Sequence, residues 1–108
     1  MPERELFFAD LAAEVPNVAR GIHSQTLYDG PDLRLVLFAF AAGEELSEHT
    51  AARPAVIHVL DGEADAVVGG EPRALGPGSW FRMPARMPHS IRARTPLRLA
   101  LYLLAAQD

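Results

Sequence analysis

From Gly21 onward the apolar positions fall in short runs rich in leucine, β-branched and aromatic residues, broken at close intervals by Gly, Pro and Asp. This is the rhythm of short strands joined by tight turns. The runs predict strands over Gly21–Tyr28, Leu33–Phe40, Ala55–Leu60, Glu63–Val68, Arg73–Leu75, Trp80–Met83, Ser90–Arg94 and Leu97–Leu104. Between them, Asp29-Gly30-Pro31-Asp32, Asp61-Gly62 and Gly69-Gly70 supply the positive φ angles that hairpin turns require, and Thr95-Pro96 cannot continue a ladder. Before Gly21 the pattern differs. Leu6, Phe7, Leu11 and Ala12 recur at roughly helical spacing within Glu5 to Glu14, and Pro16 follows, so a short N-terminal helix is expected to cap the β structure. Eight short antiparallel strands with one appended helix predict an all-β sandwich or barrel.

A chain of 108 residues has room for one such domain and little else. With 49% hydrophobic and 22% charged residues it has the means to bury a core. Charge narrows the partners. The formal net charge is −4, which gives no basic excess for holding phosphates, so nucleic acid is not an expected partner. All ten basic residues are arginine and there is no cysteine, which removes lysine Schiff-base chemistry, thiolate catalysis, disulfides and thiolate-bound metals. The longest apolar runs, Leu33 to Ala42 and Leu97 to Ala106, fall well short of the roughly 18–20 residues of a membrane helix. The opening Met1-Pro2-Glu3-Arg4-Glu5 is too acidic for a signal peptide, so a cytoplasmic protein is expected.

The candidate chemistry is carried by histidine. His49, His58 and His89 fall within one stretch of the chain, and a histidine at the end of a strand can aim a ring nitrogen into a barrel mouth without breaking the ladder. The intervals around them are informative. Gly43 precedes His49 by five intervening residues, and six residues separate Ala55 from Gly62; further on, five residues separate Gly78 from Pro84, followed by Arg86 and His89. Order and distances resemble the two motifs of the cupin family, with fifteen residues between Gly62 and Gly78 as the hairpin that joins them. The resemblance extends over about residues 33–104 and implies an antiparallel double-stranded β-helix, the jelly-roll barrel of RmlC-like proteins. It also implies a divalent transition metal (Fe, Ni, Cu, Zn or Mn) at the barrel mouth, with His49 and His89 at two of the four ligand positions.

The chain departs from the motifs at the other two positions. Ala51 stands where the family has a second histidine and Ala55 where it has glutamate; Arg86 replaces a glycine, and Ala93 an asparagine. Two imidazoles alone rarely hold a divalent ion tightly. His58 is the candidate third ligand. Strand alternation puts it opposite Ala55, Ile57 and Val59, so it points outward unless a bulge near Arg53-Pro54 shifts the register by one. Pointing outward, it leaves His49 and His89 facing a cavity floored by Ala51 and Ala55. Glu44, Glu45 and Glu48 precede His49 and could lend an oxygen, although a solvated loop suits them as well. His23 has no spacing argument and reads as structural or exposed. Trp80, Phe81 and Met83 are expected in core packing or a pocket wall. Among Arg82, Arg86, Arg92 and Arg94, only Arg86 is close enough to His89 to suggest a carboxylate-binding group at the mouth.

Two functions from different classes follow. One is a metal-dependent enzyme, similar to the dioxygenases and isomerases of the family, acting on a small molecule. The other is a non-catalytic barrel that binds or senses a small molecule or a metal. Residues 56–60 and 97–104 are apolar on both sides of their alternation, so an outer face must be covered, and a second copy in a homodimer is the simplest cover.

Overall fold

The computed structural model describes residues 3–106. The described residues form nine strands: β1 (Ile22–Asp29), β2 (Leu33–Phe40), β3 (Glu45–His49), β4 (Ala55–Asp61), β5 (Ala64–Val68), β6 (Glu71–Leu75), β7 (Trp80–Met83), β8 (His89–Ala93) and β9 (Leu97–Leu104). They form two antiparallel sheets, ordered β1-β2-β9-β4-β7 and β3-β8-β5-β6. This is the jelly-roll arrangement: the chain alternates between sheets, and its last strand inserts between β2 and β4. Among the described residues no helix is long and apolar enough to cross a membrane.

Alternation decides what lies between the sheets. Phe40, Ile57, Val59, Ala64, Ala66, Met83, Ile91, Leu97 and Leu99 are buried in one core cluster. Their neighbours of opposite parity in the five-stranded sheet, Leu35, Leu37, Ala39 and Ala100, belong to a second cluster on its outer face. That second cluster is completed by Val15, which is fully buried, and by Phe8, Leu11 and Val18 packed against it. Arg98, on the same outer face of β9, donates to the carbonyls of Ala12 (3.0 Å) and Val15 (3.3 Å) and forms an ion pair with Asp61 at 3.0 Å. The N-terminal segment is thus a strap across the sheet. It supplies much of the cover for which a second copy was expected.

Two expectations need correction. The predicted N-terminal helix is a single 3₁₀ turn at Leu11–Glu14, and Asp10 makes no side-chain cap bond to it. A helix of ten residues pays its nucleation cost with few hydrogen bonds to recover it, whereas an extended strap lays Phe8, Leu11 and Val15 on the sheet. β3 is a strand that the pattern of apolar positions does not predict. Its segment Glu45-Leu46-Ser47-Glu48-His49 buries only Leu46 in part, because it is an edge strand with one neighbour, and so it carries no apolar alternation to recognise.

Gly62, in the turn between β4 and β5, shows what the motif glycines do. Its φ is +93°, and a Cβ there would lie 2.1 Å from the Pro96 carbonyl oxygen. Only glycine permits both the angle and that approach.

Candidate functional site

His49 ends β3 and stands directly opposite His89, the first residue of β8. The ladder pairs Leu46 with Ile91 and then His49 with His89, so β3 carries one extra residue between the pairs. This bulge decides the site. Without it Glu48 would face His89; with it, His49 takes the interior side that Leu46 and Ile91 already occupy. The two imidazoles lie 4.1 Å apart between ring centroids, tilted by 57°.

Each ring is oriented by its own strand. His49 Nδ1 is 2.9 Å from the Ser47 carbonyl oxygen, and His89 Nδ1 is 3.0 Å from that of Met87. A carbonyl oxygen only accepts, so each Nδ1 carries the proton and donates. In the neutral ring Nε2 is then left as an acceptor. Burial holds the His89 ring below the ordinary histidine range; the Met87 carbonyl opposes this shift and His49 adds to it. His89 is 5% exposed, while His49 is exposed at the rim. The pair therefore forms a gradient from solvent to interior.

Behind the rings lies an apolar cavity of about 40 Å³, lined by Phe38 and Phe40 of β2, Leu46, Ile57, Ile91, and Leu99 and Leu101 of β9. Its size is comparable with the roughly 30 Å³ that a water molecule occupies in the liquid. The expected floor of Ala51 and Ala55 is replaced by these larger side chains. Ala55 is packed into the core opposite Met83, and the Ala51 carbonyl accepts the Arg86 N–H at 2.7 Å. Phe38 and Phe40 were missed as site residues, although their spacing on β2 places both on one face.

His58 does not join the pair. The β4 register against β7 and β9 is regular from Ala55 through His58, and its irregularity comes later, between Val59 and Asp61. No bulge turns His58 inward, so it lies on the outer face of the sheet beside Trp80 of β7 and Ala100 of β9. The carboxylates are also directed elsewhere. Glu44 accepts the Gly21 N–H at 3.2 Å, Glu45 pairs in register with Arg92, and Glu48 is exposed. Among the described residues no group of three His, Asp or Glu side chains comes together as a metal site. His23 is exposed on β1. Arg94 pairs with Asp65 at 3.1 Å, and Arg82 is exposed. Arg86 is exposed as well, and is the one non-glycine residue at positive φ (68°) among those described. It occupies the position where the cupin motif has glycine.

Comparison with known proteins decides the family, because the cupin-domain model matches residues 36–104, more than half of the chain. The chain belongs to the cupin family. No curated protein matches this cupin. Among solved structures it is similar to a conserved protein of unknown function from Streptococcus pyogenes (24% identity, 98% of this chain and 93% of that one, TM-score 0.83). It is similar also to a cupin superfamily protein from Desulfitobacterium hafniense (25% identity, 97% and 94%, TM-score 0.82). A third likeness is to a salicylate 1,2-dioxygenase from Pseudaminobacter salicylatoxidans (26% identity, TM-score 0.73). The match covers 81% of this cupin and 27% of that enzyme.

Proposed function

We propose that this cupin is a small-molecule-binding barrel in which His49 and His89 together accept hydrogen bonds from the head group of an otherwise apolar ligand. One observation carries the reading: both Nδ1 atoms are engaged by backbone carbonyls, which leaves two Nε2 acceptors at the mouth of an apolar cavity. Neutral acceptors suit a donor such as an alcohol, a phenol or an amine, and do not suit an anion. The cavity volume matches a head group alone, so the body of the ligand would lie toward the exposed His49. Nitrogen-detected NMR of the imidazoles tests this directly. Both rings should show the Nδ1–H tautomer, and titration with phenol should shift both Nε2 resonances; an Nε2–H tautomer at either ring would sink the reading. His89→Ala should weaken phenol binding by tenfold or more, about 1.4 kcal/mol.

The second reading is a metal-dependent enzyme, favoured by the likeness to a dioxygenase and by the same pair of acceptors, since backbone-oriented imidazoles are how proteins present nitrogen to a metal. The donor set argues against a tightly held resident ion. Characterised sites present three or more protein ligands, and at the remaining motif positions Ala51 and Ala55 offer none. A divalent ion would draw on two nitrogens only. Titration with Zn²⁺ separates the readings: submicromolar affinity lost in both His49→Ala and His89→Ala supports the enzyme, and millimolar affinity supports the binding barrel. His58→Ala should leave either value unchanged.

A further inference from the structure

The two sheets are not joined on the side away from β3. There β6 is the outermost strand of one sheet and β7 of the other, linked only by the turn at residues 76–79, in which Gly78 donates to the Val59 carbonyl at 2.9 Å. Between these strands opens a cleft of about 300 Å³, at the lower end of the roughly 300–1,000 Å³ range of ligand pockets. It shares no lining residue with the histidine cavity.

The polar groups of the cleft point to one ligand class. Its walls include Val68, Leu75 and Phe81, with Trp80, 60% exposed, alongside. The charged group is Arg73, which pairs in register with the buried Ala66 and so lies on the core-facing side of edge strand β6. Its guanidinium makes one long hydrogen bond, from Nη1 to the Pro72 carbonyl at 3.3 Å. The two ion pairs among the described residues belong to Arg94 and Arg98, so Arg73 is not committed to an acid. Ser79 adds a second donor: its Oγ accepts the Gly76 N–H at 2.9 Å, which leaves the hydroxyl proton free to be given. No acidic side chain lines the cleft. A planar cation and a hydroxyl donor set among apolar and aromatic walls match a carboxylate, which the guanidinium fork can hold with two parallel bonds, attached to an apolar ring.

We propose that the β6–β7 cleft is a second binding site, for a small aromatic monocarboxylate, separate from the histidine pair. The protein carries its own reporter, because Trp80 is the only tryptophan in the chain. Benzoate should change Trp80 fluorescence saturably in the full-length protein, and benzyl alcohol, of the same shape without the charge, should bind at least tenfold more weakly. Arg73 is exposed, so Arg73→Gln should fold normally and lose tenfold or more in benzoate affinity, whereas His89→Ala should keep the wild-type value. Equal binding of the two probes, an unchanged Arg73→Gln, a non-saturating response, or loss of benzoate binding in His89→Ala would each overturn the proposal. The last of these would move the acid to the barrel mouth. None of these results bears on the imidazole tautomers, so this site and the proposed function fail independently.

Discussion

Arg86 holds a backbone angle that side chains with a Cβ adopt at a cost of roughly 1–2 kcal/mol. Its N–H ties the β7–β8 loop to Ala51, two residues beyond His49, so the turn keeps its shape in spite of the residue placed there. Arg86→Gly should therefore raise the unfolding free energy by about 0.5–1 kcal/mol once the greater freedom of glycine in the unfolded chain is subtracted, read as a higher urea midpoint; a lower midpoint would mean that the arginine side chain makes a stabilising contact. His89 gives a prediction of opposite character. Burial lowers its pKa, so the folded state holds it neutral at pH values where the unfolded chain takes up a proton. The associated stability is complete above the unfolded value near 6.5 and declines as pH falls from there through the folded pKa. Urea midpoints should fall over that window in the wild type, and His89→Gln should flatten the decline. His49 and His89 were legible because their intervals to Gly43 and Pro84 survive in the chain. Their tautomers were not, because the carbonyls of Ser47 and Met87 that set them carry no sequence signal.

The elements that could be read best were those with a neighbour on each side or a hard stop at each end. Leu33–Phe40, Trp80–Met83 and Leu97–Leu104 match their predicted bounds. The edge strand β3 was invisible, and with it the bulge that turns His49 rather than Glu48 inward. His58 faces outward, as strand parity predicts, because the irregularity of β4 falls beyond it. Arg98 was also overlooked: an arginine within an apolar run reads as an interruption, yet it joins β9 to Asp61 and to two carbonyls of the strap. Arg98→Ala should cost about 1–3 kcal/mol in chemical denaturation, the range for losing charge-assisted hydrogen bonds at a half-buried site. Gly62→Ala should cost about 2 kcal/mol or more, since its Cβ collides with backbone and cannot be relieved by a side-chain turn.

For the whole molecule, the strap changes what the outer face of the large sheet asks of a partner. Leu35, Leu37, Ala39 and Ala100 are covered by Val15 and its neighbours from the same chain. Removing residues 1–18 should therefore leave a barrel that self-associates, and light scattering should report a higher mass per particle than for the intact protein at the same concentration. An unchanged mass would mean that the face needs no cover. The position of β9 between β2 and β4 has a consequence in time. Leu97–Leu104 must find Leu33–Phe40 across more than half the chain, and until it does, the ladder edges of β2 and β4 stay open. Pairings so distant make the search slow, on the order of milliseconds to seconds for β-barrels of this kind. A nascent chain from which Leu97–Leu104 has not yet emerged has most of its core residues and no way to close around them. Until β9 is made, the barrel cannot be completed.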